Sequence, residues 1–179
     1  MINKYPRTTF FILATVIAYF IIRNRNYNSI AVLLAGLGYT GVFITGVFYT
    51  YSFTSPPAAA ILMILGNFQN IYIGTLVASF GALLSDLFIY NFIKKELKNE
   101  VKEMSKSFIL KSFVKKIPKR LKNVIYIILG IFFVSSPLPD EIGIFFLYLA
   151  NIKNLKLKLI SFFANAIGIF IFLNLGRIL

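Results

Sequence analysis

VIYIILGIFFV-SSPLPDE-IGIFFLYLA, the stretch from Val124 to Ala150, decides how this chain folds. Its two apolar runs have eleven and nine residues, and Ser135-Ser136-Pro137-Leu138-Pro139-Asp140-Glu141 separates them. Crossing a bilayer takes about 20 apolar residues at 1.5 Å rise each. Neither run reaches that length, and two prolines prevent them from joining into one helix. Non-helical backbone cannot face lipid, because its polar groups would go unsatisfied. The stretch is therefore expected to be a re-entrant hairpin, with its tip buried in protein or lining a watery cavity.

Working outward, an earlier segment repeats the pattern. Phe53 to Phe68 is short and carries Thr54-Ser55-Pro56-Pro57 near its start. The other apolar segments are Thr8 to Ile22, Ser29 to Thr50, Ile71 to Ile93 and Leu157 to Leu175. The first ends at Arg23-Asn24-Arg25 with no small-residue cleavage site, so it is expected to be a retained span. Hydrophobic residues make up 58% of the 179 positions and charged residues only 14%, against about a quarter charged in soluble domains. The mean hydropathy is +0.79. Lipid, not water, is the solvent that this composition suits.

The positive charges choose the topology. They cluster at Arg23 and Arg25, from Lys94 to Lys122, and at Lys153, Lys156 and Lys158. If every apolar segment crossed, these clusters would fall on opposite faces. If Phe53 to Asn70 and Asn123 to Asn151 are both hairpins, all three clusters share the cytoplasmic face, as the positive-inside bias requires. The expected fold is thus all-α and integral to the membrane: about four transmembrane helices plus two oppositely oriented re-entrant hairpins. It forms one domain, residues 1–179, with a first repeat over 29–93, a basic segment over 94–122 and a second repeat over 123–179. Ser29 to Thr50 is expected to run outward, Ile71 to Ile93 inward and Leu157 to Leu175 outward, leaving both termini outside. This is an inverted repeat, with a binding site expected where the tips meet near the midplane. Within the basic segment, Phe108, Ile109, Phe113, Val114 and Ile117 alternate with Lys111, Lys115, Lys116 and Lys119. That pattern suits a helix lying on an anionic membrane surface.

The net charge of +13 does not point to nucleic acid, because the basic residues sit between apolar runs and not on a soluble face. With no cysteine and no histidine, thiolate chemistry, disulfides and the commonest proton shuttle and metal ligand are all absent. No catalytic pair, phosphate loop or metal-ligand cluster stands out, so neither an enzyme nor a bound cofactor or metal is expected.

Asp86 is the most informative residue. It lies eight positions before Lys94, roughly 12 Å into the membrane, where a charge must face the bundle interior. Gly74, Ala78, Ala82 and Ser85 share its helix face at small-residue spacing, which invites close helix approach. The competing explanation is a protonated Asp86 satisfied by a helix–helix hydrogen bond, which is the role expected of Asn165 in the last span. Asp140 and Glu141 at the second tip are candidates to share a proton, since like charges do not both ionise cheaply there. Capping the following helix is the competing explanation. Thr54, Ser55, Ser135 and Ser136 offer hydroxyls at the two tips, and helix N-termini near Ala58 and Ile142 would point their dipoles at an anionic group.

These residues resemble a known family. Phe80-Gly81-Ala82-Leu83-Leu84-Ser85-Asp86 with Tyr90 is similar to the Gly-Ala-x-x-Gly-Asp-x-x-x-Tyr signature of the DedA/VTT superfamily of membrane proteins. Ser55 to Gly66 and Ser136 to Glu141 stand where that family has its two re-entrant loops. The resemblance implies a transporter that translocates a lipid, either a polyprenyl-phosphate or a phospholipid, with proton coupling in some members. Asp86 matches the signature's Asp, whereas Ser85 replaces its Gly. Ser135, Ser136, Asp140 and Glu141 stand where the family's second hairpin carries arginines. Two other classes remain open. One is a non-transporting factor that docks a partner or anionic lipid through its basic loop, and the other is a small cation or drug exporter. Membrane lipids are the expected partners, and four full spans make a homodimer reasonable.

Overall fold

A computed structural model describes residues 12–17, 19, 33, 36–96, 118–136, 138 and 140–178. Every regular element among them is an α-helix: α1 Gly38–Tyr49, α2 Ser55–Gly66, α3 Ile71–Glu96, α4 Lys119–Val134, α5 Asp140–Leu149 and α6 Asn154–Ile178. Residues 12–17 are helical as well. The surface-helix expectation for Lys111, Lys115 and Lys116 lies outside the described residues, as do Pro137, Pro139, Arg23 and Arg25.

Among the described residues, only α3 and α6 are long and apolar enough to cross a membrane. With 26 and 25 residues they extend about 39 and 37 Å. They run antiparallel: Gly74 faces Leu173, while Asp86 bonds Ser161 and Asn165 further along. The four shorter helices form two hairpins. In the first, α1 lies parallel to α3, with Val42 against Gly74, Gly46 against Ala78 and Thr50 bonded to Ser85. The chain reverses over residues 50–54, and α2 returns beside α6. There Arg177 Nε donates to the Gly66 carbonyl at 2.9 Å and Asn67 Nδ2 to the Gly176 carbonyl at 2.8 Å. In the second hairpin, Gly130 opposes Leu147 and Val134 opposes Gly143, so α4 and α5 are antiparallel. Tyr148 of α5 stacks edge-on against Tyr90 of α3 at 6.0 Å.

The order of hairpin, turn and long helix thus occurs twice. Thr50 of the first tip meets Ser85, the fifteenth residue of α3. The backbone of Ser135 at the second tip crowds Gly168, the fifteenth residue of α6. Two apolar cores follow. One packs Val42, Tyr49, Leu62 and Leu65 with Ala78, Ile169 and Leu173, and the other packs Ile89, Ile93, Val134, Ile144, Leu147, Leu157 and Ala164.

The first hairpin departs from the sequence reading. Ser29 to Thr50 was expected to run opposite to Ile71 to Ile93, with Phe53 to Asn70 as the hairpin. Instead α1 runs with α3 and supplies the first arm, and the second arm is α2. Two causes are visible. Gly38 has φ +55°, a left-handed conformation that starts α1 afresh and divides the apolar segment. Pro56 and Pro57 fall in the first turn of α2, where backbone N–H groups have no helical partner anyway, so they begin a helix and do not break one. The second hairpin, expected over 123–151, spans α4 and α5.

Close backbone contact between α1 and α3 depends on the absence of a side chain at Gly46, where a Cβ would run into the Ala78 carbonyl. Gly46→Leu is expected to lower stability by about 1–3 kcal/mol in a thermal melt of the purified protein. Gly36→Ala, with nothing within 4 Å, should leave the melt unchanged.

Candidate functional site

The two tips meet at mid-height, around α3 and α6. Glu141, the second residue of α5, accepts hydrogen bonds from the Ser52 hydroxyl at 2.7 Å and the Ser52 backbone N–H at 3.3 Å. Ser52 belongs to the first tip, so this contact ties one hairpin to the other.

Asp86 lies beneath it, fully buried. One carboxylate oxygen accepts from Ser161 Oγ at 2.6 Å and from Asn165 Nδ2 at 2.7 Å; the other has no hydrogen-bond partner. Asn165 therefore makes the interhelical bond expected of it, and Asp86 is its acceptor. The small residues Ala78, Ala82 and Ser85 are buried on the same helix, and Ser85 accepts from Thr50 Oγ1 at 2.6 Å.

Asp140 is also fully buried, and neither of its oxygens has a partner. It opens α5 without capping it. It stands within electrostatic reach of Asp86 and Glu141, and Tyr49 stands within reach of Asp140. Three of the six carboxylates in the sequence, Asp86, Asp140 and Glu141, thus lie within electrostatic reach of one another. The Tyr49 hydroxyl has no partner either, and a Cβ on Gly168 would come 2.8 Å from it. No basic side chain is among the hydrogen-bond partners of Asp86, Asp140 or Glu141 within the described residues.

The tip hydroxyls behave differently from one another. Ser135 Oγ donates to the Phe132 carbonyl at 3.2 Å and Ser136 Oγ to the Phe133 carbonyl at 3.0 Å, both within the end of α4. These two serines, expected to face a substrate, are spent on their own helix end. Thr54 Oγ1 likewise donates to the Phe48 carbonyl at 2.6 Å, closing the first tip. Ser55 is fully buried with its hydroxyl unpartnered. The helix N-termini fall at Ser55 and Asp140, not at Ala58 and Ile142.

Ser52, Tyr49 and Ser161 escaped the sequence reading. The spacing of Ser161 from Asn165, one helical turn, was a usable signal. Ser52 and Tyr49 gave none, because the tip they flank was hidden inside an apparently continuous apolar segment. Beside that tip, a groove of about 340 Å³ opens between α1 and α2, lined by Gly41, Ile44, Phe48, Pro57, Ala58 and Ile61.

No protein-family model, curated protein or solved structure matches the chain.

Ser161→Ala would leave Asp86 with a single donor in a buried setting. It is expected to destabilise by about 1–3 kcal/mol, measured by thermal or chemical unfolding in micelles. Ser135→Ala and Ser136→Ala remove only local bonds and should stay within about 0.5 kcal/mol of the parent.

Proposed function

We propose that this chain is a multi-pass membrane transporter of the DedA/VTT type that moves a lipid or similar amphiphile across the bilayer. In this reading α1–α2 and α4–α5 are re-entrant hairpins entering from opposite faces, and α3 and α6 are the full spans of an inverted repeat. The observation that carries it is the Ser52–Glu141 contact, which joins the two tips beside buried Asp86, halfway along both long helices. A site at the meeting point of broken helices from two inverted halves is where secondary transporters bind substrate.

Three further features support it. The outward residues of the long helices are apolar and exposed, including Tyr72, Phe80, Phe88 and Phe92 of α3 and Leu159, Phe163 and Ile167 of α6, while Asp86, Ser161 and Asn165 are inside. Polar side chains turned inward and apolar ones outward suit a lipid surround. Lys94, Lys95, Lys122, Lys153, Lys156 and Lys158 all sit at the end shared by the C-terminus of α3 and the N-terminus of α6, and Arg177 sits at the other. That asymmetry favours a cytoplasmic location for the basic end. The apolar groove beside the first tip offers an acyl chain a place next to a polar centre. The signature-like run Gly81 to Asp86 with Tyr90 belongs to α3 and carries the central carboxylate.

Reconstitution into proteoliposomes containing a fluorescent short-chain phospholipid tests this reading. Protein-dependent transbilayer movement is expected, reduced at least about tenfold by Asp86→Asn, whose carboxylate is the centre of the buried network. Unchanged movement in Asp86→Asn and in the Asp140→Asn/Glu141→Gln double variant would refute it. Single cysteines at Asn70 and Asn154, clean in a chain without native cysteine, should label from opposite sides of the membrane.

A further inference from the structure

We infer that the centre between the two tips is a binding site for a small monovalent cation, either sodium or an ammonium group. The inference rests on the transporter reading and names what its central site holds. Around the Ser52–Glu141 contact, the buried oxygens without hydrogen-bond partners are Asp86 Oδ1, both carboxylate oxygens of Asp140, Asn165 Oδ1 and the Tyr49 hydroxyl. All four residues are fully buried. Asn165 joins Asp86 through a 2.7 Å hydrogen bond, and the Tyr49 hydroxyl lies against Gly168, three residues further along α6. The set therefore spans α1, α3, α5 and α6, one side chain from each.

Buried polar oxygens without partners are rare in folded proteins, and buried carboxylates without a counter-charge are rarer still. Four ligand classes need weighing. An anion would meet carboxylates, and the one amide donor nearby, Asn165 Nδ2, is already shared between Asp86 Oδ2 and the Ser161 carbonyl. A single proton would neutralise one carboxyl group but leave the amide oxygen of Asn165 and the other carboxylate unmatched. A multidentate site for a divalent metal is not assembled: among the described residues no three His, Cys, Asp or Glu side chains are grouped to hold one. A monovalent cation is held by one ionised aspartate, the second aspartate carrying a proton, the Asn165 amide oxygen and the Tyr49 hydroxyl. That arrangement leaves no net charge and uses the oxygens that a proton alone leaves unmatched.

The experiment is a thermal melt of the full chain in neutral detergent. It runs in sodium, potassium, ammonium, ethanolammonium or choline chloride at equal ionic strength. Choline is the control because it is bulky and has no N–H donor. Selective binding to the folded state is expected to raise Tm by about 2–4 °C over choline, as a few Kd of ligand does for a chain of this size. A rise in sodium alone identifies a metal-ion site, and a rise in both ammonium salts without sodium identifies an amine head group. Either rise should vanish in Asp140→Asn, which retains the side-chain shape, and in Asp86→Asn. Equal Tm in all five salts for the unmodified chain would overturn the inference even if neither variant folds. So would a rise that persists in both variants. Because the readout is binding and not flux, loss of lipid movement and loss of cation binding are separately visible.

Discussion

A carboxylate with nowhere to go but inward governs this molecule. Asp86 sits in the middle of a 26-residue apolar helix, and among the described residues the donors that satisfy it both come from α6. Leaving it unpaired in a low-dielectric interior would cost several kcal/mol, so the pairing of α3 with α6 is fixed both in register and in direction. Once those two helices are set antiparallel, the hairpins can only enter from opposite ends. Their tips stop where the network begins: Thr50 bonds the residue before Asp86, and the Ser135 backbone abuts Gly168.

Polar and apolar forces divide the labour between them. The cores on either side of the network are built from Leu, Ile, Val and Ala, and they hold each hairpin to the long helices without specifying register strongly. Small residues decide how close the helices come, as at Gly46 and Ala78, where backbones touch. The hydrogen bonds Thr50–Ser85, Ser52–Glu141 and Asp86–Asn165 then select one alignment among those that the small residues permit.

Much of this was legible in the sequence. The second hairpin announced itself, because Ser135 to Glu141 is too polar to be helical in lipid and its flanks are too short to cross. Asp86 and Asn165 were legible as interior residues for the same reason, a polar atom in a long apolar run. The first hairpin was harder. Its turn, Thr50-Tyr51-Ser52-Phe53-Thr54, contains no Pro, Gly or charge, and it follows an apolar segment that has the length of a full span. The prolines drew attention to Thr54–Pro57, whereas the reversal comes just before them, and the divide at Gly38 is a backbone conformation that composition does not report. The hydroxyls of Ser135 and Ser136 looked like ligands because they lie at a tip, but a serine at a helix end finds a local carbonyl first.

The crossed packing of the hairpins has a consequence for how such a chain is made. α2 leans on α6 and α5 leans on α3, so each half lends an arm to the other. The hydroxyl and the amide that satisfy Asp86 are encoded 75 and 79 residues after it. During synthesis the first half therefore emerges before the Ser161 and Asn165 donors that Asp86 uses in the finished fold. It is completed by the later half of the same chain, whose α6 brings both donors. Assembly order, and not only final stability, is written into the position of one aspartate.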